Sequence, residues 1–181
     1  MEQSVFARNA LACVGQSYAT TDCIGVVRKA AGIKCQGTNW LWRSISNSAK
    51  YRYLIERSTK QLEPDQLEEG LLVFRIRFDK IPTGYIDPPD CHHVGVIVRD
   101  GGRWAVVQSN PGPGVTVSEF QAKQWDGWGK LKMIVYHGPE KEPEPEKEPE
   151  KEQDKLEEIY RMVKVLYDAY MAGAQDLIKR A

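Results

Sequence analysis

The stretch His93-Val94-Gly95-Val96-Ile97-Val98-Arg99-Asp100-Gly101-Gly102-Arg103-Trp104-Ala105-Val106-Val107-Gln108 decides the fold. Two runs rich in β-branched residues flank Asp100-Gly101, a dipeptide suited to a tight hairpin turn because both residues tolerate positive φ. A two-residue turn there sets Arg99 opposite Gly102, Val98 opposite Arg103 and, further out, His93 opposite Gln108. Opposed residues on one sheet face have Cβ atoms about 4.5–5.5 Å apart, within reach of an amide-to-imidazole hydrogen bond. Gln108 is therefore expected to orient the His93 ring and fix its tautomer. A bulge breaks that register, and Asn110, two residues on and on the same face, is the fallback.

Outward from this hairpin the pattern stays β. Residues 71–76, 94–98, 104–108, 114–117 and 131–136 read as strands, interrupted by Pro, Gly and Asp clusters at 81–90 and 110–113. The N-terminal side reads as helix. Residues 3–13 carry Val5, Phe6, Ala10 and Leu11 on one stripe, and a second helix starts at Thr21 or Asp22 and stops at Gly32. Trp40-Leu41-Trp42 and Leu54-Ile55 suggest further helix within 36–60. Helices followed by strands is the order of an α+β fold with an antiparallel sheet.

Cys23 falls at the start of the second helix. Unpaired N–H groups and the positive end of the helix dipole favour a thiolate there, and the Cys23 N–H is placed to donate to an oxyanion. Asp22 opposes thiolate formation, so a neighbouring cation or base is needed, and His93 is the candidate. Cys23, His93 and Gln108 together make a nucleophile, its base and an orienting group. Cys13 and Cys35 have no comparable context and read as packing residues. Cys91-His92-His93 lacks a second ligand pair at zinc spacing, so neither a metal nor another cofactor is expected. His92 is expected to point away from His93, and His137 towards solvent.

The chain has 181 residues, 41% of them hydrophobic, and its 25 basic and 25 acidic residues cancel. That balance gives no sign of nucleic-acid binding. No run approaches the roughly 18 apolar residues of a membrane span, and Met1-Glu2-Gln3-Ser4 does not open a classical signal peptide. Residues 1–138 form the expected globular domain. Residues 139–155 hold eight acids, four lysines and repeated prolines, the composition of a stiff extended linker. Residues 156–181 regain helical periodicity, with Leu156, Ile159, Val163, Leu166, Tyr170, Gly173 and Leu177 on one seam. Such a helix either packs back on the domain or serves self-association or protein docking.

With those residues in place, the chain resembles the NlpC-type cysteine peptidases, papain-like enzymes that cut stem peptides of bacterial peptidoglycan. The matching stretches are Gly15-Gln16-Ser17-Tyr18, Asp22-Cys23-Ile24-Gly25-Val26-Val27, Leu67-Glu68-Glu69-Gly70-Leu71-Leu72-Val73-Phe74, His93-Val94-Gly95-Val96-Ile97-Val98 and Val107-Gln108-Ser109. The resemblance implies a papain-like α+β fold, N-terminal helices packed on an antiparallel sheet with an appended C-terminal helix. It implies Cys23 as nucleophile, His93 as base and Gln108 as third polar residue. It places Tyr18 near the oxyanion and Asp22 beside the substrate. The implied reaction cleaves the γ-D-glutamyl to diamino-acid amide through an acyl-enzyme, without metal.

The chain departs from the family pattern at Ile24, where serine is usual, at Ser17 for proline, at Leu71 for aspartate and at Gln108, where histidine is commonest. Lacking a classical signal, it looks similar to prophage or tail-associated lysins, made in the cytoplasm and reaching the wall by a non-classical route. Two other readings of the same residues stay open: a non-catalytic module binding wall fragments or protein, and a related amidase or acyltransferase.

Overall fold

β3, Asp90–Asp100, is buried on both faces over nearly its whole length, which places it inside the sheet. The computed structural model describes residues 1–46, 52–138 and 159–164. Within them six strands form one antiparallel sheet in the order β1-β6-β2-β3-β4-β5. The others are β1 (Leu54–Ser58), β2 (Leu72–Arg77), β4 (Arg103–Asn110), β5 (Gly114–Glu119) and β6 (Gly127–Leu131). β2 to β5 run as a meander, and β6 returns to the free edge of β2.

Three helices precede or flank the first strands: α1 (Gln3–Leu11), α2 (Cys23–Ala31) and α3 (Thr38–Arg43). Phe6 and Ala10 of α1 and Val26, Val27 and Ala30 of α2 recur at helical spacing and are at most 1% exposed. They share one core with Leu72, Phe74, Val94, Val96, Val98, Ala105 and Val107. The alternate residues Leu71, Val73, Ile97 and Val106 face the other way, into a second core closed by Leu62, Leu67 and Trp125. The sheet is thus covered on both faces, by helices on one and by loop segments on the other. Helices with an antiparallel sheet make the chain α+β, as its sequence order implies.

Three expectations need correction. Leu54-Ile55, read as helix, belongs to edge strand β1. The last strand is Gly127–Leu131 rather than 131–136, and Val135 instead makes a single parallel bridge with Glu2. The hairpin turns on Gly101-Gly102, with φ of 57° and 81°, so Asp100 pairs with Arg103 and Gln108 with Gly95. The register is displaced by two residues from an Asp100-Gly101 turn. Two glycines meet the positive-φ demand of both central positions better than Asp-Gly does.

The chain divides into two units, Met1–Glu140 and Lys141–Ala181. In the second, residues 159–164 are helical, with Ile159, Tyr160, Met162 and Val163 all more than half exposed. The linker over 139–155 and the remaining seam positions lie outside the described residues. Among the described residues no helix is long and apolar enough to cross a membrane.

Candidate active site

The Asp22-Cys23-Ile24-Gly25 segment is built around a helix cap. Asp22 is the N-cap of α2, and its Oδ1 accepts the Gly25 N–H at 2.7 Å and Arg28 Nη2 at 3.1 Å. A Cβ on Gly25 would stand 2.7 Å from that same Oδ1, so glycine here keeps room for the cap. Gly32 closes the helix in the left-handed conformation, φ 67°. Cys23 is the first residue of α2, and among the described residues its N–H has no acceptor.

Two contacts hold this helix start against the sheet. Ser109 Oγ, fully buried on β4, donates to the Thr21 carbonyl at 2.5 Å. The preceding loop pairs with the start of β5, Val115 N–H donating to Gln16 O at 2.9 Å and Gly15 N–H to Val115 O at 3.0 Å. Gly114 is required there, since its φ is 73° and a Cβ would come within 2.2 Å of Gln16 O. Tyr18, on this loop, is partly exposed, and its phenol pKa is raised by burial, then by the nearby Cys23 and Asp22.

His93 and Gln108 meet by a different route from the one the turn suggested. Gln108 stands opposite Gly95, and its side chain leans one diagonal step to bring Oε1 within 2.8 Å of His93 Nε2. Gln108 Nε2 in turn donates to Ser118 Oγ at 2.9 Å, so the two ends of the amide are both engaged. With Oε1 facing the ring, a neutral imidazole donates from Nε2 and has its lone pair on Nδ1. Among the described residues no side-chain hydrogen bond involves Asn110, the fallback partner.

His93 is 8% exposed, and its ring stacks on Trp125, centroids 5.9 Å apart and planes 15° from parallel. Gly95 makes that stack possible. A Cβ there would meet Val106 Cγ1 at 2.3 Å and the Trp125 ring at 3.1 Å. Arg75 pairs with His93 across β2 and β3 and places its guanidinium 5.1 Å from the Trp125 ring centroid. The His93 pKa is lowered from its usual 6.5, first by burial and then by Arg75 and His92, while the bond to Gln108 opposes the shift. The resting ring is neutral at pH 7.

Cys23 belongs to the helix-side core, whereas His93 stacks on the residue that closes the opposite core. Ser109, next to Gln108 on β4, ties the sheet to Thr21, two residues before Cys23. The Cys23 thiol is 3.7 Å from the Thr38 hydroxyl, and no hydrogen bond joins it to His93. Asp22 uses Oδ1 in the cap and leaves Oδ2 without a protein partner among the described residues. Cys91, His92 and His93 diverge: Cys91 is fully buried, His92 exposed, and His93 stacked on Trp125. His137 is exposed and bonds Glu2 at 2.6 Å.

Trp125, Ser118 and Thr38 shape the site without a signal in the sequence, and Ser109 enters there only within the stretch Val107-Gln108-Ser109. Ser109 directly follows Gln108, and strand alternation alone puts it on the helix-side face. No family model, curated protein or solved structure matches the chain.

Proposed function

We propose that the protein is a papain-like cysteine peptidase acting on an amide of peptidoglycan stem peptides. The observation that carries the reading is the imidazole of His93 held through Nε2 by Gln108 Oε1 at 2.8 Å, in a chain whose α2 begins with Cys23. Neutral His93 Nδ1 takes the thiol proton as Cys23 Sγ attacks the carbonyl carbon, and the oxyanion is received by the Cys23 N–H. The proton on Nδ1 passes to the amide nitrogen as the C–N bond breaks, leaving a thioester and a free amine. Water then gives its proton to Nδ1 and its oxygen to the acyl carbon, and the sulfur leaves and is reprotonated.

The step requires Cys23 Sγ, which here contacts Thr38 in the helix-side core, to come within reach of His93, whose ring stacks on Trp125 of the opposite core, and hydrogen bonds of this kind often tighten only around bound substrate. Tyr18 borders the reacting carbonyl, and Asp22 offers its free Oδ2 to the substrate. Mass analysis of L-alanyl-γ-D-glutamyl-diamino acid peptides incubated with the full chain tests the bond. Products cleaved at the γ-glutamyl amide support the reading, and transfer of the acyl group to an added amine would instead indicate an acyltransferase.

The absent Cys23–His93 hydrogen bond favours a second reading, a binding module on the same fold. Iodoacetamide separates the two. An activated Cys23 is alkylated before Cys13, Cys35 and Cys91, whose thiols burial pushes up, Cys35 to about 11. In a binding module Cys23 shows no such preference.

A further inference from the structure

A polar cleft of about 540 Å³ adjoins the nucleophile candidate, and Thr38, whose hydroxyl touches the Cys23 thiol, forms part of its wall. Its polar lining includes Asn39, Arg77, Lys80, Asp90 and His92, and the loop at 81–83 and Cys91 complete the wall. The charges in this cleft are unequally satisfied. Asp90 Oδ1 accepts from Asn39 at 2.9 Å, and Oδ2 accepts from Arg77 in an ion pair. Asn39 is itself fixed, its Oδ1 accepting the Cys91 N–H at 2.6 Å. The pairing with Arg77 and the bond from Asn39 hold the Asp90 carboxyl below its ordinary range, against the effect of burial.

Both oxygens of the cleft's one carboxylate are therefore engaged, while Lys80 has no side-chain partner among the described residues. Arg77 keeps guanidinium N–H groups beyond the one given to Asp90. The cleft thus presents surplus cationic donors and no free anionic acceptor. Resting on the proposed peptidase reading, we infer that this cleft is the subsite for a substrate carboxylate flanking the scissile amide, held by Lys80 with Arg77 beside it. Asp90 and Asn39 position Arg77 rather than contact the substrate. A γ-D-glutamyl to diamino-acid amide carries such a group on either side, the α-carboxylate of the glutamyl residue and the carboxylate of the diamino acid.

The test uses the full chain carrying Cys23→Ala, titrated calorimetrically with L-alanyl-γ-D-glutamyl-L-lysine, its form amidated at the glutamyl α-carboxylate, and its form amidated at the lysine carboxylate. One amidation is expected to weaken binding about tenfold or more, and which one identifies the carboxylate held. Adding Lys80→Ala, at an exposed position, should bring the three peptides to equal affinity. Equal binding of all three, a preference that survives Lys80→Ala, or no binding of any peptide overturns the subsite. Hydrolysis of the same peptides by the chain with Cys23 intact is read in parallel. Cleavage without a carboxylate preference removes the subsite and leaves the peptidase, and a Lys80-dependent preference without cleavage does the reverse.

Discussion

Gln108 Oε1 lies 2.8 Å from His93 Nε2 although Gln108 stands opposite Gly95, two residues further along β3. Ser118 holds the far end of the amide, and Gly95 leaves room for Trp125, on which the His93 ring stacks.

This geometry fixes the behaviour of His93 with pH. Its folded pKa lies below 6.5 and the unfolded one near 6.5, so the unfolded chain binds the extra proton first as pH falls. The stability contributed by the neutral ring is complete above about pH 6.5 and is lost as pH drops towards the folded pKa. NMR titration of the ring should show a midpoint below 6.5, and a still lower one in Gln108→Ala, where the bond that raises it is gone. A midpoint at or above 6.5, or a rise in Gln108→Ala, contradicts the assignment.

Gly95→Ala forces a methyl group against Val106 and Trp125. Overpacking of this kind costs about 1–3 kcal/mol, and displacement of Trp125 unstacks His93. Thermal denaturation should show a lowered Tm, accompanied by a shift of the His93 ring resonances. An unchanged Tm with unchanged ring shifts would mean that the glycine has no part in seating the histidine.

Asp22 and Gly25 should be coupled with a change of sign. In the native chain Gly25→Ala pushes Asp22 from the helix start and loses a cap worth about 1 kcal/mol. In an Asp22→Ala background the same substitution gains helix propensity and stabilises by about 0.5–1 kcal/mol. Urea denaturation of the four chains measures both. Equal effects of Gly25→Ala in the two backgrounds would show that the glycine does not serve the cap.

The His93 to Gln108 contact was legible from the sequence even though the turn was misplaced, and the reason is periodicity. A register error of two residues keeps every side chain on its face, whereas an error of one would have put Gln108 with the helices. The cap at Asp22 and the stop at Gly32 follow from local chemistry and needed no tertiary information. The outer strands were not legible in this way. Gly127 reads as a chain breaker, yet glycine is required there because a Cβ would stand 2.8 Å from the β1 carbonyl of Ser58. Trp125 was hidden for a related reason. It lies in an irregular segment with no periodicity, and only the folded sheet shows that the space above Gly95 is where its ring goes. Likewise the cleft beside Thr38 assembles residues from α3, β2, β3 and the loop between those strands, which no single window of sequence displays.

The most direct test of the account digests purified peptidoglycan with the full chain and with its Cys23→Ala variant, followed by mass analysis of the released fragments. The account predicts stem peptides cleaved at the γ-D-glutamyl amide from the native chain and none from Cys23→Ala. Release of the same fragments by Cys23→Ala, or no cleavage by the native chain, would contradict it.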